Sequence, residues 1–183
     1  MEITQKQLKK LLNYNKATGV FTWLNTRRGA QINSIAGTLD FGGYVRIQIN
    51  KKVYKAHRLA WVYIYGVSPK KEIDHINGNK KDNRICNLRD VSTSENSKNS
   101  KLYCTNTSGV VGITYNKISM KWIAQITVNY KNIRLGTFKN KKDAIESRTQ
   151  ANQKYNFHIN HGRKKNQSEN NYADEIYKEF LND

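Results

Sequence analysis

The chemistry that this sequence can support is concentrated between Glu72 and Asn96. Adjacent Asp74 and His75 follow a short apolar lead and open a loop dense in turn formers, Asn77-Gly78-Asn79 and Asp82-Asn83. Asn87-Leu88-Arg89 comes next. Ser92-Thr93-Ser94-Glu95 then spells a capping box, which predicts a helix starting at Ser92 and carrying Asn96. A strand ending in Asp-His, a loop, a second strand begun by Asn87 and a helix bearing Asn96 would gather four polar groups. Their types suit phosphodiester hydrolysis. The Asp74 carboxylate and the Asn96 amide oxygen are hard donors for Mg²⁺, which keeps several waters and binds substrate phosphate. The His75 imidazole, with an ordinary pKa of about 6.5, can take a proton from attacking water. Asn87 would fix the loop and the orientation of that ring.

Taken alone, an Asp-His pair in such a loop is as well explained by turn chemistry; the combined spacing favours catalysis. Other residues nearby carry less. His57, ahead of Arg58 at the start of an apolar helix, reads as a fold-holding hydrogen-bonder. Cys86 reads as a small apolar filler and Cys104 as a loop residue. Arg84 and Arg89 are equally phosphate clamps or surface ion-pair partners.

The elements that must position these groups leave their own marks. Thr4-Gln5-Lys6-Gln7 is a capping box followed by Leu8, Leu11 and Leu12 at helical spacing, which predicts a short helix ending near Asn13–Asn15. Val20–Leu24, Tyr44–Ile49 and Val53–Ala56 are β-like, the last two flanking a turn at Asn50-Lys51-Lys52. Arg58–Tyr65 is apolar nearly all round and predicts a buried helix, closed by Gly66 and Pro69. Linker composition spans 102–108. Beyond it, Val111–Tyr115, Lys121–Val128 and Ile133–Phe138 predict three strands, and Lys141–Tyr155 a helix. Trp122, Ala124, Ile126 and Val128 share one face of the middle strand.

Charge narrows the partners. The 183 residues include 32 Lys plus Arg against 14 Asp plus Glu, a net +18. Five acids (Glu169, Asp174, Glu175, Glu179, Asp183) lie beyond residue 161 against four bases, so residues 1–161 carry +19. Such a body repels itself unless it meets a polyanion, and nucleic acid is the commonest. No apolar run is long enough to span a membrane. Met1-Glu2-Ile3-Thr4 lacks the order of a secretory signal, and two cysteines make no disulfide scaffold. The expected setting is a reducing cytoplasm.

With those residues assembled, the segment resembles the HNH nuclease motif, the ββα-metal fold, in the form carried by phage and intron homing endonucleases. The resemblance rests on Ala56-His57-Arg58-Leu59, Asp74-His75, Asn77-Gly78-Asn79, Asp82-Asn83, Asn87-Leu88-Arg89 and Asn96. It implies one divalent metal, Mg²⁺ with Mn²⁺ able to substitute, held by Asp74 and Asn96. It also implies His75 as general base, Asn87 in support, and products with 5′-phosphate and 3′-hydroxyl ends. Asn96 stands where many relatives have a final His, and the zinc-binding CxxC pairs of some HNH domains are missing.

Residues 109–161, with Lys121-Trp122-Ile123-Ala124-Gln125-Ile126, Arg134-Leu135-Gly136-Thr137-Phe138 and Lys142-Asp143-Ala144, resemble the ethylene-response-factor (Apetala-type) DNA-binding domain. That family lays its three-stranded sheet in the major groove. By position, the outward side chains are Thr114, Asn116, Gln125, Thr127, Asn132 and Arg134, with Lys117 and Lys121 near phosphates. Several positions that are Arg or Trp in the plant pattern differ here, so a GC-rich target does not carry over.

The expectation is an α+β chain. Residues 1–101 hold a β-rich accessory region and the nuclease (core about 52–100), 109–161 bind DNA, and 162–183 form a tail with helical spacing. Arg27, Arg28, Arg46, Lys51 and Lys52 are further candidates for backbone contacts. The expected partner is double-stranded DNA, with no membrane and no obligate protein partner. The rival reading is a sequence-specific DNA-binding regulator with a degenerate nuclease motif; intact Asp74, His75, Asn87 and Asn96 argue against it. RNA binding is weaker still, because the aromatics fall on expected core faces.

Overall fold

The computed structural model of the protein describes residues 3–26 and 29–164. Arg27, Arg28 and the acidic part of the expected tail lie outside them. The chain forms two compact units, the first through Val91 and the second from Ser92.

In the first unit, α1 (Gln5–Leu11) starts at Thr4, whose hydroxyl accepts from the Gln7 N–H while the Gln7 side chain accepts from the Thr4 N–H. Both orphan donors are satisfied, as the capping box requires. β1 (Leu12–Tyr14) and β2 (Phe21–Trp23) form an antiparallel pair. β3 (Thr38–Leu39), β4 (Val45–Ile49) and β5 (Lys52–Lys55) form a three-stranded antiparallel sheet in that order. In β4 the side chains of Val45, Ile47 and Ile49 are buried while Arg46 and Gln48 face out, a period-two pattern. The β4–β5 turn uses Asn50 and Lys51, both at positive φ (48° and 64°), which matches the twist of a tight hairpin.

α2 (Ala56–Tyr65) follows without a break and ends at Gly66, whose φ of 75° suits glycine. Its Leu59, Ala60 and Val62 pack with Leu8, Leu12, Phe21 and Ile47 into one core. β6 (Glu72–His75) pairs antiparallel with β7 (Leu88–Val91), and a single 3-10 turn, Ile85–Asn87, precedes β7.

In the second unit, α3 (Thr93–Ser97) begins at Ser92 with the expected capping box to Glu95. β8 (Ile113–Asn116), β9 (Lys121–Val128) and β10 (Lys131–Phe138) form an antiparallel sheet with β9 central. α4 (Lys141–Lys154) covers one face, where Ala144 and Ile145 meet Ile113, Trp122, Ala124, Leu135 and Phe138. The register slips between Arg134 and Gly136, a bulge that lets Leu135 join this core.

The fold is α+β with several small antiparallel sheets, as expected, and the chain order β6, β7, α3 is compatible with a ββα nuclease core. Among the described residues no helix is long and apolar enough to cross a membrane.

Candidate active site

Register places Asp74 opposite Arg89 and His75 opposite Leu88. Cross-strand partners share a face, so the Arg89 guanidinium reaches Asp74, donating from Nε and one terminal nitrogen to Oδ2 at 2.9 and 2.7 Å. The next residue, His75, is 4% exposed. Its Nε2 lies 3.3 Å from Asn83 Oδ1. The His57 ring meets it edge-on at 5.1 Å between centroids, and Tyr44 packs against both rings at 5.4 and 6.0 Å. Burial pulls the His75 pKa down, against the opposing pull of Asn83 and Asp74. Burial, with the neighbouring cationic groups, holds His57 at about 3. A neutral imidazole at position 75 can accept a proton.

The loop after β6 is closed by side-chain amides. Asn87 Oδ1 accepts from the Asn77 N–H at 3.0 Å, and Asn87 Nδ2 donates to Asn77 Oδ1 at 3.0 Å and to the Asp82 carbonyl at 2.9 Å. Asn77 in turn donates to the Asp82 carboxylate at 2.8 Å, which also takes two bonds from the Arg84 guanidinium at 2.7 and 2.6 Å and one from the Arg84 N–H at 3.3 Å. Asn87 is thus the clasp of the loop, while the ring of His75 is met by Asn83. Sequence reasoning gave both tasks to Asn87 and passed over Asn83, because an Asp-Asn pair in this stretch reads as turn chemistry alone. Asn83 is itself held: its Nδ2 donates to the Lys81 carbonyl at 3.0 Å, and its carbonyl accepts from the Tyr14 hydroxyl at 2.7 Å.

Further residues settle around this centre. Arg58 donates to the carbonyls of Pro69 and Lys71 at 3.4 Å each, steadying the lead into β6. His57 is buried by rings, and its Nδ1 has no hydrogen-bond partner among the described residues, so there it holds the fold by packing and not through that nitrogen. Lys55 and Lys80 sit 4.3 and 4.4 Å from the centroid of Tyr44. Lys55 also pairs with Asp40. Cys86 is exposed and fills no core. Its place in the short 3-10 turn points it outward, which apolar character alone did not reveal.

Asn96 lies on α3 of the second unit, half-buried, with its N–H bonded to the Ser92 carbonyl. In that unit the pairing of β8, β9 and β10 puts Thr114, Asn116, Lys121, Gln125, Thr127, Asn132 and Arg134 on the sheet face opposite α4. Most are exposed; Gln125 is half-buried and takes a bond from Asn132, and Arg134 donates to Thr137. Asn116 spends its side-chain oxygen on the N–H groups of Ile118 and Ser119 in the turn that also carries exposed Lys117. Not all aromatics are in cores: Tyr103 and Tyr130 are 74% and 84% exposed. Both sit in connections, where strand periodicity gives no warning.

Among the described residues no three His, Cys, Asp or Glu side chains are grouped to enclose a metal ion. Asp74 is nonetheless a hard oxygen donor beside a neutral imidazole, a donor type suited to an ion that keeps most of its shell as water and phosphate.

Residues 54–98 match the family model described as HNH endonuclease. Over 85 residues the chain is 38% identical to Protein 3.8 of Escherichia phage T7, covering 44% of this chain and 70% of that protein. No solved structure matches the chain significantly.

Proposed function

Since the chain belongs to the HNH endonuclease family, we propose that it is a site-specific DNA endonuclease of the homing type, encoded by a phage or another mobile element. The observation that carries this reading is the end of β6, where a carboxylate and a buried neutral imidazole stand side by side in a loop clasped by Asn87. In this reading His75 takes the proton from water attacking the scissile phosphate. Asn87 keeps the loop in register. Asp74 would hold a divalent cation, Mg²⁺ or Mn²⁺, and Asn96 is the second proposed oxygen ligand on the grounds of sequence spacing. When bound, such an ion supplies positive charge to the phosphate and to the departing 3′ oxygen. Products would carry 5′-phosphate and 3′-hydroxyl ends. Arg84 and Arg89 are engaged with Asp82 and Asp74, so any role at a phosphate requires each to exchange its partner.

The functional division we propose runs 1–101 for nuclease and accessory region and 109–161 for DNA contact. The polar sheet face of the second unit supports the latter, and the Apetala-type likeness of that region rests on its own motif, since the family match ends at residue 98.

His75→Ala tests the assignment. It should bind duplex DNA as the parent does, while cleavage with Mg²⁺ falls by about 10²–10⁴. Supercoiled plasmid incubated with Mg²⁺ or EDTA, with nicked and linear products separated, reads both the metal requirement and the number of strands cut. Loss of binding with cleavage per bound complex intact would refute the role given to His75.

A further inference from the structure

The second unit contains a cleft of about 390 Å³ whose lining, among the described residues, includes Lys98, Lys101 and Arg148 but no Asp or Glu. Arg148 is the unusual member. It is 3% exposed, and one terminal nitrogen donates to the Gln125 carbonyl at 2.7 Å. The other stands 3.3 Å from His161 Nε2, and the guanidinium carbon lies 5.2 Å from the Phe157 ring centroid. Among the described residues its Nε has no hydrogen-bond partner, nor has Nδ1 of His161, which lines the same cleft. Burial draws the Arg148 pKa down to about 10, with no carboxylate among the described residues contributing, so the group stays charged. A buried cation that meets only dipoles and a ring face among the described residues carries a desolvation cost that an anion in the cleft would offset.

The other walls specify what kind of anion. Tyr130 borders the cleft from the β9–β10 turn, where it and Asn129 are held at positive φ (63° and 48°). Tyr103 borders it from the segment after α3. Both rings are largely exposed, and Gln125 and Thr127 bring the polar sheet face to the same space. Exposed rings beside a cationic groove suit bases that are not already stacked on neighbours; duplex bases are.

We propose that this cleft binds a short single-stranded segment of DNA, with its phosphates toward Lys98, Lys101 and Arg148 and its bases on Tyr103 and Tyr130. The proposal rests on the reading of the chain as a DNA enzyme, but not on its cleavage chemistry.

The test uses the full chain in EDTA and a fluorescein-labelled oligothymidine, followed by anisotropy. The exposed residues give variants that leave the cores intact. Tyr103→Ala with Tyr130→Ala should weaken oligonucleotide binding about tenfold or more. Lys101→Ala should flatten the log–log salt dependence by about 0.7. Addition of the oligonucleotide should move the ring signals of His161 and leave those of His57 in place. Unchanged affinity in the double tyrosine variant would overturn the proposal. So would inorganic phosphate alone shifting the His161 signals as fully as the oligonucleotide does, or a duplex of equal length losing affinity equally. Failure of the parent to cut any DNA with Mg²⁺ would instead count against the nuclease reading, and leaves the EDTA result standing.

Discussion

The direction of one amide decides which nitrogen of His75 can act. Asn83 Nδ2 donates to the Lys81 carbonyl, so Oδ1 is the atom that faces the imidazole. An oxygen acceptor calls for an N–H, which puts the proton of neutral His75 on Nε2 and its lone pair on Nδ1. The ¹⁵N spectrum of the ring should therefore be that of the Nε2–H tautomer. Asn83→Leu keeps the volume and removes the acceptor; mixed tautomers and a cleavage rate lower by about 10–100-fold are expected, as for lost partners of metal-site histidines. A ring that keeps its tautomer and its full rate in Asn83→Leu would show that Asn83 only fills space. None of this was legible in the sequence. Asp74, His75 and Asn87 stand out by type and spacing, whereas Asn83 is one amide among several, and only the tertiary course of the loop selects the one that meets the ring.

At the scale of elements, the β1–β2 pair supports that loop from below. Tyr14 at the end of β1 donates to the Asn83 carbonyl, and Gly19 passes so close that a Cβ there would lie 2.4 Å from Arg84 N and 2.6 Å from Asn83 C. Both atoms are backbone, and Gly19 has a φ of +76°. Gly19→Ala meets conformational strain of about 1–2 kcal/mol and overpacking of about 1–3 kcal/mol. A matching loss of stability in urea unfolding is expected, together with weaker cleavage as the Asn83 segment shifts. Tyr14→Phe, which loses one buried hydrogen bond, should cost about 1 kcal/mol. If Gly19→Ala unfolds at the parent's urea midpoint, the loop does not rest on this hairpin. The sequence marked α1 and α3 by their caps, α2 by its apolar run, and β4, β9 and β10 by alternation or β-type residues. It ran α1 on through Leu12 to about Asn13–Asn15, where the chain instead pairs as β1, and it left β3 unmarked; two or three residues are too few to establish a period of their own. The supporting task of Gly19 was hidden for a different reason: a close approach between segments far apart in sequence has no local signature.

Across the whole molecule, acid acts on a chain that already carries +18, and every proton taken up adds to its self-repulsion. Two buried histidines make that uptake a property of unfolding. Burial, reinforced by nearby cationic groups, holds His57 at about 3 and His161 at about 4, whereas an unfolded histidine titrates at about 6.5. Between those values the unfolded chain binds protons that the folded chain refuses. Stability is therefore intact above about pH 6.5 and falls as pH drops, by about 1.4 kcal/mol per pH unit for each such histidine. Asp40 works in a lower window. Lys55, and then the Tyr44 N–H, keep its carboxyl at about 2, so its contribution is present above the ordinary carboxylate range and disappears as pH falls through that value. His57→Phe separates the two, since a phenyl ring can keep the contacts with Tyr44 and His75 and Nδ1 has no bond to lose among the described residues. At pH 7 the variant should match the parent in urea unfolding of the first unit. At pH 4.5 it should be the more stable by about 2–3 kcal/mol. Equal acid sensitivity in variant and parent would mean that His57 takes up its proton within the folded state and that the acid slope arises elsewhere.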